Sequence, residues 1–123
     1  MATLNDRVLD NGLTVLDTEA NRVDICSAEP TTYAAATSTL TLGNETSISI
    51  SAPADASPNG RKVTLAAITG ASVTGTGTAT HYAITDTVNS RLLATGALSA
   101  SQAVTSGNTF SLTASDIRIP DPA

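Results

Sequence analysis

The sequence predicts a mainly β protein: a small antiparallel β-sandwich or barrel of about seven or eight strands, preceded by an N-terminal arm with short helical turns. Three observations predict it. Ser and Thr supply about a quarter of the 123 residues, an unusual share for a globular chain. Aromatic residues are 2% and charged residues 14%, so a core must come from Val, Ile, Leu and Ala, which suit thin pleated layers. Short apolar/polar alternations recur about every eight to twelve residues, separated by Gly, Pro, Asn and Asp. Residues 1–38 form the expected arm and 39–123 the expected β domain.

In the arm, Leu4, Val8 and Leu9 share one face of a short helix that Asn11-Gly12 would stop. Leu13-Thr14-Val15-Leu16 reads as extended, and Val23-Asp24-Ile25-Cys26 as its returning partner across a polar turn. After Glu29-Pro30, Thr31 caps an Ala-rich helix of one to two turns anchored by Tyr33.

From Ser38 onward the pattern is β. Leu40-Thr41-Leu42 leads to a turn at Gly43-Asn44, and residues 46–51 alternate strictly, burying Ile48 and Ile50. A Pro- and Gly-containing loop over 53–60 precedes a strand over 61–68, broken at Thr69-Gly70. Gly75-Thr76-Gly77 is a corner feeding the clearest alternation in the chain, 78–86. There Tyr82 and Ile84 form the face to bury, and Ala79, His81, Ala83 and Thr85 the other. A turn over 86–90, a returning strand from Arg91 with a bulge at Gly96, and short strands at 103–105, 109–112 and 117–119 complete the set. Pro120 and Pro122 stop further pairing.

Composition excludes several functions. The net charge of −5, with one Lys and five scattered Arg, supplies no phosphate-binding patch, so no nucleic-acid partner is expected. A single cysteine, Cys26, excludes an internal disulfide and reads as a small buried hydrophobe. No second Cys or His stands at zinc-ligand spacing, and Asp17-x-Glu19 with Asp24 lacks the calcium-binding loop pattern. No cofactor or metal is expected. The lone His81 has Asp86 five residues on, but no Gly-x-Ser-x-Gly elbow accompanies it. It reads as a strand-surface or interface residue, and the chain as no enzyme. Three aromatics in all also weigh against a sugar-stacking cleft. The N-terminus lacks an apolar signal core, and no run reaches membrane-spanning length, so cytoplasmic synthesis and no membrane partner are expected.

Three segments carry a resemblance. Residues 3–13 (TLNDRVLDNGL), 25–33 (ICSAEPTTY) and 115–122 (SDIRIPDP) together resemble small structural proteins of tailed bacteriophages encoded near the head genes. The resemblance implies a virion protein made in the bacterial host cytoplasm and bound to the capsid surface as a decoration (cement) protein. Its partner would be the major capsid protein and its assembly a homo-oligomer, with a trimer expected at a symmetry axis. Leu4, Val8, Leu9 and Tyr33 are then the candidate interaction surface. A tail, fibre or adaptor component, or a sandwich binding host-surface glycans, is the alternative.

Overall fold

A computed structural model describes residues 3–4, 12–57 and 60–119. The protein is mainly β and antiparallel throughout: a curled half-barrel sheet, a small second sheet and short helical turns near the N-terminus. In chain order the elements are β1 (Thr3–Leu4), α1 (Thr14–Glu19), β2 (Arg22–Cys26), a π-helical turn (Ala35–Thr39), β3 (Thr41–Glu45) and β4 (Ala54–Asp55). There follow β5 (Arg61–Leu65), β6 (Ile68–Val73), β7 (Gly77–Asp86), β8 (Arg91–Val104), β9 (Thr109–Leu112) and β10 (Ser115–Ile119). The larger sheet runs β1-β8-β7-β2-β3-β6-β9 and the smaller β10-β5-β4.

The inner face of the large sheet packs on the small one. Val23, Ile25, Ile84 and Leu93 meet Val63, Leu65 and Ile117 in one continuous core, joined by Leu13, Val15 and Leu16 from α1 and its cap. The only large aromatic fully inside is Phe110, so aliphatic side chains do carry the core. The segment that the sequence sets apart as an arm supplies β2, which lies between β7 and β3 in the sheet.

Several expectations need correcting. Residues 14–19 are helical, where an extended Leu13–Leu16 was expected. A strand would send Leu13 and Val15 to one face and Leu16 to the other, whereas the helix buries all three against the core. Gly43-Asn44 does not turn but continues β3, because β6 comes too close for any side chain at residue 43. Residues 46–51 run beside β5 without forming a regular ladder. Ile50 bridges Leu65, and Ile48 and Ile50 pack partly buried on the core. The expected strand over 61–68 divides at Ala66-Ala67, where the chain passes from the small sheet to the large one. Gly70, at φ +67°, then makes the irregularity between Ile68 and Ala71.

The two-face pattern of β7 also changes. A register shift between Ala79 and His81 breaks the alternation, so Ala79 joins the same core as Tyr82 and Ile84. The opposite face is not solvent-facing along its length: Ala83 and Thr85 are fully buried. Residues 27–40, connecting β2 to β3, fold over that face and enclose a second small cluster of Cys26, Ala36 and Ala83, with Leu40 and Leu92. Long β8 bends where Ala97 pairs with His81 and Gln102 with Ala79, a larger irregularity than a bulge at Gly96 alone.

Candidate functional site

Three places gather chemistry. The first is the covered outer face of β2, where Arg22, Asp24 and Cys26 share one side because strand side chains alternate. Asp24 is fully buried. Its carboxylate accepts from Arg22 Nε at 2.7 Å and Nη2 at 2.8 Å, and from Thr41 Oγ1 at 2.6 Å. The two-pronged, charge-assisted pairing satisfies an anion that would otherwise be costly to bury. The Asp24 hydrogen bond in turn pushes the Arg22 guanidinium above its ordinary value. Beside it, burial pushes the Cys26 thiol up to about 12, and the negative charge of Asp24 adds to this. With its sulfur 3.7 Å from the Ala36 carbonyl, Cys26 is a packed, protonated thiol and no nucleophile.

The second place is His81, held between β7 and the covering segment. Its Nδ1 lies 2.9 Å from Thr80 Oγ1, and Nε2 lies 3.9 Å from Glu29 Oε2. Among the described residues it is bonded to no serine, and Asp86 is engaged elsewhere. That carboxylate accepts from the Val88 backbone N–H at 2.9 Å, the Asn89 N–H at 3.4 Å and the Asn89 side-chain amide at 2.9 Å, closing the β7–β8 turn. A catalytic relay between His81 and Asp86 is therefore not assembled.

The third is a cleft of about 280 Å³ between the sheets, where the bend of β8 faces the end of β9 and the start of β10. Leu65, Leu98 and Leu112 form apolar wall, with Tyr82, Gln102 and Ser111 among the polar groups. The Tyr82 ring lies over Gly96: a Cβ there would sit 2.6 Å from the ring. Burial raises the Tyr82 phenol, which is the sole ionisable group in the lining. The cleft has shape but no acid–base pair. No group of three His, Cys, Asp or Glu side chains able to hold a metal gathers among the described residues.

Of the four candidate contact residues, Val8 and Leu9, with the short helix expected around them, lie outside the described residues. Leu4 pairs through its backbone with Ala94 at the outer edge of the large sheet. Tyr33 is half-buried at the start of the helical turn over β2, where its carbonyl accepts from Thr37 Oγ1 at 2.9 Å and it lies in electrostatic reach of Arg22. The sequence pairs these residues; the fold places Leu4 and Tyr33 on different elements of the sheet and its cover. Sequence reasoning missed the Arg22–Asp24–Thr41 network. Its available signal was Arg-x-Asp within one strand, which puts opposite charges on one face. The chain matches no protein-family model, no curated protein and no solved structure.

Proposed function

We propose that this chain is a structural protein of a tailed-bacteriophage virion, binding the outer surface of the head as a decoration protein that holds neighbouring capsid subunits together. The observation that carries this reading is where the charge goes. Arg22, Arg61, Lys62 and Arg91 each lie against a carboxylate of the same chain, at 2.7, 2.6, 3.1 and 3.6 Å. The cleft between the sheets is lined by no acid–base pair. Among the described residues, what is left to meet a partner is a hydroxyl-rich exterior with outer strand edges on β9, β10 and β4. Such a surface suits many weak contacts, which repeated engagement on a lattice turns into firm attachment. A closed trimer, with the major capsid protein as partner, fits that use. Leu4, Val8, Leu9 and Tyr33 are the proposed N-terminal contact set.

Mass spectrometry and cryo-electron microscopy of purified virions test the proposal. On the order of hundreds of copies on the head, following shell symmetry, is the expected result. About a dozen copies or fewer at one vertex or along the tail would make the protein a tail, fibre or adaptor component instead. Absence from the virion would overturn both.

A further inference from the structure

The segment 27–40 meets β7 through the Thr80–Ser27 hydrogen bond, the packing of Ala36 on Ala83 and the approach of Glu29 to His81, and hydrogen-bond counting fixes the tautomer of that histidine. Thr80 has a single hydroxyl hydrogen, and Thr80 Oγ1 donates it to the Ser27 carbonyl at 3.0 Å. At its contact with His81 Nδ1, 2.9 Å away, the same oxygen must therefore accept, so Nδ1 carries a hydrogen. In the neutral ring this leaves Nε2 without a hydrogen, 3.9 Å from the Glu29 carboxylate. Two electron-rich groups then oppose each other. A second proton at Nε2, taken from solvent, turns this opposition into an ion pair while keeping the Nδ1–H···Thr80 bond.

We propose that His81 is a proton-operated latch, closing residues 27–40 over the outer face of the large sheet when Nε2 is protonated and loosening them when it is not. Among the described residues, the charged group that faces it is Glu29. From β2, Cys26 stands opposite His81, and its thiol stays neutral well above physiological pH. Arg22 and Asp24, further along β2, neutralise each other. From β8 the opposing residue is Ala97, which has nothing to titrate. On β7 itself Tyr82 points to the other face, into the inter-sheet cleft, and Asp86 is tied into its own turn. His81 and Glu29 are both partly solvent-exposed, at 22% and 34%, so protons reach them without unfolding.

Nitrogen-15 NMR of the His81 ring and amide-exchange protection factors for residues 27–40, followed from pH 8 to 5, test the latch. The neutral ring is expected to carry its hydrogen on Nδ1. Protection is expected to rise about two- to fivefold on acidification, the range of a part-exposed ion pair. Glu29→Gln should abolish the rise while keeping the Nδ1–H form, and Thr80→Val should remove the preference for Nδ1–H. A neutral ring protonated on Nε2, protection that does not change with pH, or a rise that persists undiminished in Glu29→Gln would each overturn the proposal.

Discussion

Replacing Gly43 by alanine tests how tightly the two halves of the large sheet are joined. Gly43 sits in β3 opposite Ile25 of β2 on one side and Val73 of β6 on the other. A Cβ there would lie 2.6 Å from the Ser72 carbonyl oxygen, 3.1 Å from Val73 Cα and 3.0 Å from the Phe110 ring, where ordinary contacts begin at 3.4 Å. Two of these neighbours are backbone, so no rotamer change relieves them. β6 must move outward, and β9 moves with it. Only two registered pairs, with the Thr74 and Gly75 N–H groups donating to the Leu42 carbonyl at 2.8 and 3.0 Å, hold β3 to β6. Overpacking costs about 1–3 kcal/mol. Each weakened ladder bond adds about 0.5–1.5 kcal/mol, and the lower chain entropy of alanine returns about 0.5–1 kcal/mol. The net expectation is a loss of about 2–3 kcal/mol, read as a lower urea midpoint at unchanged slope. Gly75→Ala is the control, since its Cβ would meet Leu42 at an ordinary 3.5 Å. A Gly43→Ala loss below about 0.5 kcal/mol, or no larger than that of Gly75→Ala, would refute the reasoning.

Four further outcomes follow from the polar interior. Asp24→Asn should cost about 2 kcal/mol in the same urea assay, below the usual loss for a broken buried pair because Arg22 reaches water; Thr41→Val should cost about 1 kcal/mol. Cys26 should resist alkylation at pH 8 in the native state and react at once in urea, since burial holds the thiol protonated. Burial alone would raise the Asp86 carboxyl, but its bonds from Asn89 and the Val88 and Asn89 N–H groups outweigh that and lower it. Its contribution is therefore present above the ordinary aspartate value of about 3.9 and lost as pH falls through the lower native value. Asp86→Asn should thus be less stable than the parent at pH 7, with the gap closing in acid melts as the parent carboxyl protonates.

The strands legible in the sequence were those with one buried face and a turn at each end. Residues 78–86 and 91 onward form a hairpin as read, and β2, β9 and β10 stand close to where alternation puts them. The helical turn after Pro30 was legible because Thr and Ala there leave few other choices. Legibility failed where a residue's conformation depends on a distant neighbour. Gly43 looks like a turn residue until β6 is beside it, and Leu13–Leu16 fits helix or strand equally until the core shows that three side chains must point one way. Asp24 looks like a solvated charge in sequence, yet it is fully buried because Arg22 and Thr41 meet it under the cover of residues 27–40.

The sequence by itself determined the class of object: a β fold with an aliphatic core, few charges and one chemically isolated histidine. These follow from composition and a side-chain period of two, which act locally. Only the tertiary structure decided that both faces of β2 and of the end of β7 from Ala83 are buried, that Asp24 has its partners, and that His81 meets Glu29. Those facts depend on the connection between β2 and β3 folding back over the sheet, a long-range closure that no local pattern encodes.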